Sequence, residues 1–255
     1  MCWSLEVTFG FFLADACFLL FLLFMVDVRF PLMRIVNVHD CFDVRWLCYV
    51  MFVGFYTIME FLQLVQWVTL TYPITNALLT YVAYILIWAQ PVMFSIIAMI
   101  PHYRTIPRDL KILFWMSVFT FVYAMTSIMW GGESGRDVTK VYETKVCLAS
   151  LNTNYAMETH TTIGPNGHLL WLFDVMTLQY QPTHYVYMLL IVTTLLNTRD
   201  TILKSVLSFG WGVTFLVSVS LIGSGPELPS FWCFLSVFAN VPILMDVLRS
   251  RGVRV

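Results

Sequence analysis

The sequence predicts an all-α, polytopic seven-transmembrane helix bundle, with its N-terminus outside and its C-terminus cytoplasmic. Three observations carry that prediction. First, the 255 residues are 59% hydrophobic and only 11% charged, with a mean hydropathy of +0.78. A soluble domain carries about 25% charged residues, so this inventory cannot build a water-facing surface. Second, the apolar residues gather into seven runs that are continuous rather than alternating, which selects helices over a closed barrel. Third, threading the runs through a bilayer places 11 of the 14 lysines and arginines on one side: Arg29, Arg34, Arg45, Arg104, Arg108, Lys111, Arg199, Lys204, Arg249, Arg251 and Arg254. Basic residues mark the cytoplasmic face, and only Arg136, Lys140 and Lys145 fall opposite.

The first run, 8–26, follows a start (MCWSLEV) without a basic lead, so it reads as an uncleaved span rather than a signal peptide. Leu13-Ala14-Asp15-Ala16-Cys17 only loosely resembles a lipoprotein cleavage site and reads as helix interior. Runs two and three, 46–70 and 76–100, are joined by a tight outer turn around Pro73 and must be antiparallel neighbours. Run four covers 112–130, run five 184–197, run six 205–222 and run seven 231–247. Most reach the roughly 20 residues that a span requires. The inner turns 101–111 and 197–204 are basic, and the outer turn 223–230 is rich in Gly and Pro. The whole chain, 1–255, reads as one membrane domain. Gln90-Pro91 and Asn240-Val241-Pro242 put an amide before a mid-helix proline in spans three and seven, a thin hint of parallel repeats.

The long outer loop, 131–183, is too long to be a mere connection. It opens polar and closes apolar: after Gly164-Pro165-Asn166-Gly167 comes HLLWLFDVMTLQY. His168, Trp171, Asp174 and Thr177 recur every third residue, which predicts an interfacial helix over 168–180 ahead of a fifth span beginning at Pro182. The competing reading is one long helix, 168–197, kinked at Pro182.

The unusual chemistry is acid without base inside the membrane. Asp15 lies in span one and Glu60 in span two, whereas no lysine or arginine lies within any span. Intramembrane ionisable groups are costly and point to function. With no cationic side chain at that depth, Glu60 must be protonated, hydrogen-bonded in a polar pocket, or neutralised by a mobile cation. Helical spacing sets Tyr56, Thr57, Glu60, Gln63 and Trp67 on one arc of span two. Asn76, Thr80, Tyr84 and Gln90 share an arc of span three, and Asn240 lies near the middle of span seven. These stripes predict a seam lined by Asp15, Glu60, Gln63, Asn76, Thr80, Tyr84, Gln90 and Asn240. The plain alternative is that a neutral Glu among amides is interhelical glue, worth about 0.6–2 kcal/mol per contact.

Other chemistries find little support. His160, His168, Trp171 and Asp174 form the outer-loop motif, but with Glu158, Cys147 and His184 they match no zinc spacing, so no metal is expected. The six cysteines show no metal pattern. Cys2, Cys147 and Cys233 lie near the outer face, where Cys147 is either bridged or free. Nothing resembles a nucleophile elbow, an HExxH helix or a nucleotide loop, so an intramembrane enzyme ranks last. A retinal protein needs a lysine in span seven, and none is there; no cofactor is expected. His102-Tyr103-Arg104 and Asn240-Val241-Pro242 are only echoes of the motifs of G-protein-coupled receptors. The net charge of −1 gives no reason to expect nucleic acid.

Four stretches together carry a resemblance: Glu60-Phe-Leu-Gln63; Asn76 to Thr80 leading to Gln90-Pro91; Gly167-His168-Leu169-Leu170-Trp171; and Trp232-Cys233 to Asn240. They resemble an uncharacterised seven-helix membrane protein family of large DNA viruses infecting algae and protists. The resemblance implies a viral membrane protein, in a host-cell or virion membrane, and brings no activity with it. It marks Glu60, Gln63, Gln90, His168, Trp171 and Asn240.

The functional expectation is therefore a channel or transporter for protons, cations or a small polar solute, using the acidic and amide seam. The alternative is a receptor or assembly protein acting through the 131–183 loop. The lipid bilayer is the expected surrounding, and assembly into a homo-oligomer is open.

Overall fold

The computed structural model describes residues 5–27, 41–129, 159–164, 167–173, 184–222, 232–233 and 235–250, and within them the chain is mostly helical. Helix α1 spans Leu5–Asp27, α2 Cys41–Thr69 and α3 Pro73–Met99, which tightens into a 3-10 turn at Ile100–His102. Helix α4 spans Arg108–Met129. A two-stranded antiparallel hairpin follows, β1 His160–Ile163 and β2 Leu169–Leu172. Helix α5 spans His184–Asn197, α6 Thr201–Ser208 and α7 Thr214–Ile222, with a π-helical turn at Phe209–Val213 joining the last two. The described chain closes with a 3-10 turn, Ser236–Ala239, and α8, Asn240–Ser250.

Among the described residues, five stretches are long and apolar enough to cross a membrane: Leu5–Met25, Val44–Thr69, Pro73–His102, Arg108–Thr126 and Thr201–Leu221. They coincide with expected runs one, two, three, four and six. Among the described residues, helix α5 covers the fifth run with 14 residues, about 21 Å at ~1.5 Å per residue.

The seventh run departs from expectation. In place of one uninterrupted helix over 231–247, Trp232, Cys233 and Leu235 are α-helical, a 3-10 turn intervenes at Ser236–Ala239, and α-helix resumes at Asn240. Pro242 accounts for the interruption: it has no N–H to donate, and its ring would strike the carbonyl four residues back, that of Phe238 within the 3-10 turn. The expected interfacial helix over 168–180 is also corrected. Leu169–Leu172 is a strand, with Thr161 opposite Trp171 and Ile163 opposite Leu169; residues 174–180 lie outside the described ones. The β-branched run Thr161-Thr162-Ile163 supplies the partner. Gly167 (φ 81°) turns the chain through the left-handed region, which glycine adopts without strain. The Gly164 amide donates to the His168 carbonyl at 2.8 Å, closing the hairpin.

Packing is dominated by α1 against α2. Phe12 meets Phe61 with ring centroids 5.5 Å apart. Leu19 faces Gly54, and the Trp46 indole donates to the Leu22 carbonyl at 3.1 Å. The pairing is therefore antiparallel. Tyr49, Phe52, Phe94, Leu190, Ile191 and Leu207 fill the centre. Gly210 permits the closest approach: a Cβ there would lie 2.6 Å from the Ala239 Cβ. The outward faces carry large apolar side chains. Trp115, Phe119, Leu196, Leu216 and Leu221 are each about two-thirds exposed or more.

Candidate functional site

The predicted seam residues separate into two clusters, and a third, ionic cluster lies at the other end of α2. The central cluster holds the acids. Because Phe12 pairs with Phe61 and Leu19 with Gly54, Asp15 falls level with the 57–60 turn of α2. Asp15 and Glu60 are both fully buried, and each lies within electrostatic reach of the other. The Asn240 amide donates to Asp15 Oδ1 at 2.6 Å. Asp15 Oδ2 and both Glu60 carboxyl oxygens have no hydrogen-bond partner among the described residues. Of the three fates open to Glu60, the hydrogen-bonded pocket is thus the one the described residues do not supply.

Cys233, a buried free thiol, lies beside Glu60 and links the acids to span three. The Gln90 amide donates to its Sγ at 3.8 Å, and the Tyr187 hydroxyl donates to Gln90 Oε1. Tyr187 in turn packs edge-on against Trp88 and Trp232. One polar thread therefore joins α1, α2, α3, α5 and the start of α8: Asn240, Asp15, Glu60, Cys233, Gln90, Tyr187.

The second cluster pins the hairpin to the ends of α2 and α3. The Asn76 side chain mimics a strand edge, its amide donating to the Thr161 carbonyl (2.8 Å) while its oxygen accepts from the Thr161 amide (2.6 Å). Thr80 and Thr161 hydroxyls meet at 2.6 Å. Gln66 donates to the Thr161 hydroxyl and accepts from the Trp171 indole, each at 3.0 Å. Asn76 and Thr80 are thus saturated by the hairpin. Tyr84 lies against Phe173, ring centroids 4.9 Å apart, and Gln63 is buried on α2. Of the outer-loop motif, Trp171 joins this network and His168 is buried at the hairpin, where desolvation holds its imidazole down to about 4. His160 pairs across from Leu172, and Asp174 lies outside the described residues. No cluster of three or more metal-ligating side chains occurs among the described residues.

Sequence reasoning did not assemble the third cluster. Arg45 Nη1 donates to both oxygens of Asp246 at 3.1 Å, and its Nε lies 3.4 Å from Asp200 Oδ2. Tyr49 donates to Asp246 Oδ2 at 2.7 Å. Asp200 also caps α6, accepting from the Leu203 amide at 2.9 Å. The available signal was that all three charges sit at span ends which the threading assigns to one side. Which of them touch is a matter of tertiary packing.

Comparison with known proteins adds lineage. The chain is 28% identical over 223 residues to an uncharacterised protein of Acanthamoeba polyphaga mimivirus, covering 82% of this chain and 86% of that one. This agrees with the resemblance to proteins of large DNA viruses. No solved structure matches. Residues 45–252 match a family of unknown function, DUF5765, a span that runs from Arg45 through Glu60 to Asp246 and leaves Asp15 outside it. The chain belongs to the DUF5765 family.

Proposed function

We propose that this protein is a multi-pass membrane protein, N-terminus outside and C-terminus cytoplasmic, that moves protons, cations or a small polar solute. Asp15 and Glu60 are its charge-bearing groups. The single observation that carries the reading is Glu60: it is wholly buried, beside a second carboxyl, with neither oxygen hydrogen-bonded among the described residues. A buried polar group that is merely structural finds a partner, as Asn76, Thr80 and Gln66 do. An orphaned acid instead marks a place where something binds and leaves.

The membrane placement is supported by the outward apolar faces and the five long apolar helices. Exposed apolar surface on this scale is a liability in water and ordinary in lipid. Arg45, Asp200 and Asp246, assigned to one side by the threading, do meet at one end of the bundle. The reading calls for no cofactor and no nucleic acid.

Ion flux into proteoliposomes containing the purified full chain tests it. Glu60→Gln is expected to abolish flux, and unchanged flux would overturn the proposal. The second reading, a receptor or assembly protein acting through the 131–183 loop, draws on the firmly pinned hairpin with its half-exposed Ile163. It predicts instead that exchanging the loop abolishes function while Glu60→Gln is silent.

A further inference from the structure

We infer that the outward face of α4 binds an anionic phospholipid, with Arg108 and Lys111 holding its phosphate and the apolar stripe below them carrying an acyl chain. Such a site is separate from the acids at Asp15 and Glu60 and depends only on the membrane placement proposed above.

Helix α4 is two-faced. Leu110, Leu113 and Ser117 are buried against the bundle, whereas Ile112, Trp115, Met116 and Phe119 are largely exposed. These four follow Arg108 and Lys111 at the three- and four-residue spacing of one helical face. Together the six line an open groove of about 460 Å³. From Arg108 to Thr120 the groove runs about 18 Å at ~1.5 Å per residue. One leaflet is about 15 Å deep, half of a ~30 Å hydrocarbon layer. The groove therefore has the length of a single leaflet, cationic at one end and apolar along the rest.

Charge decides the occupant. Among the described residues, no ion pair or side-chain hydrogen bond engages Arg108 or Lys111. Asp109, between them in sequence, does not line the groove. Other cations on the side that the threading assigns as cytoplasmic are engaged: Arg45 by Asp200 and Asp246, Lys204 by the Leu196 carbonyl, and Arg104 by the Tyr103 ring. Two cations above an apolar groove match a phosphate above an acyl chain, and basic residues at the cytoplasmic end of a span attract anionic headgroups. Trp115 lies one turn below Lys111, near the headgroup boundary that indoles favour. A second copy of the chain fits less well. A two-fold axis along the membrane normal would set Arg108 and Lys111 at the same depth in both chains, like charge against like.

The test is tryptophan fluorescence of the full chain in phosphatidylcholine vesicles carrying a minor share of brominated lipid, either phosphatidylglycerol or phosphatidylcholine. Brominated phosphatidylglycerol is expected to quench more than brominated phosphatidylcholine at the same share, and Trp115→Phe to remove that excess. Arg108→Gln with Lys111→Gln is expected to weaken phosphatidylglycerol binding about 30-fold, from about fivefold per cation near the surface. Arg108→Lys with Lys111→Arg keeps the charges and retains binding. Arg199→Gln with Arg249→Gln, which removes two other exposed cations from the same side, retains it as well. Equal quenching by the two lipids, or an equal loss in the Arg199 and Arg249 variant, overturns the inference and leaves the membrane placement intact. A chain that does not enter the vesicles overturns both. Trp115 shielded from either brominated lipid, with crosslinking between copies through α4, overturns the inference in favour of a dimer face.

Discussion

Glu60 illustrates a stability sacrifice at a single residue. A buried polar group left without a partner costs about 1–3 kcal/mol, and both of its carboxyl oxygens are in that position. Replacing it by an apolar side chain of similar size removes the cost. Glu60→Met is therefore expected to raise the thermal unfolding temperature in detergent, and a fall of several degrees would show that the carboxyl holds the helices together. His168 gives a pH dependence. Its imidazole is held down to about 4, against 6.5 when free, by burial. Between those values the unfolded chain binds the proton more readily than the folded one, so stability falls as pH drops from about 6.5 toward 4 and then levels off. An unfolding-temperature profile that flattens in this window in His168→Gln confirms the assignment.

At the scale of elements, the tightest constraint is Gly210 in the π-helical turn. A methyl there meets Ala239 at 2.6 Å, while one at Gly212 meets nothing within 4 Å. Gly210→Val is expected to destabilise by about 1–3 kcal/mol through overpacking, whereas Gly212→Ala is near neutral; equal effects would deny the close approach. Helices were legible in the sequence where an apolar run was long and uninterrupted. The C-terminal end of the fifth run was legible because the polar Asn197-Thr198-Arg199 follows it. Local chemistry hid the rest. A three-residue polar stripe at His168, Trp171 and Asp174 imitates a helix, yet Thr161-Thr162-Ile163 offers a strand to pair with, and pairing is non-local. Pro242 was legible as a kink, but that it sits in a first turn depends on where the helix begins.

Across the whole molecule, the sequence placed polar residues on facing helical stripes but not their partners. Asn240 meets Asp15, and Gln90 reaches the acids only through Cys233, which the helical stripes did not include. Asn76 and Thr80 share the same stripe of α3 but are engaged by a hairpin 85 residues away in the chain. The Arg45 cluster ties α2, the start of α6 and α8 together, and α8 carries both Asp246 in that cluster and Asn240 beside Asp15. Arg45 and its two carboxylates are part-buried, so removing the guanidinium costs less than the ~3–5 kcal/mol of a fully buried pair. Arg45→Ala is expected to lower stability by about 1–3 kcal/mol, with Asp246→Asn restoring part of the loss. Absence of such rescue would mean that the cluster does not act as a unit.

The most direct test compares two variants in the same proteoliposomes, correcting flux for the amount of folded protein. If the orphaned acids carry the function and the satisfied outer network is scaffold, Glu60→Gln folds as stably as the parent and loses flux. Asn76→Ala melts earlier yet conducts normally per folded molecule. The reverse pattern, with flux surviving Glu60→Gln and lost in Asn76→Ala, would contradict the account.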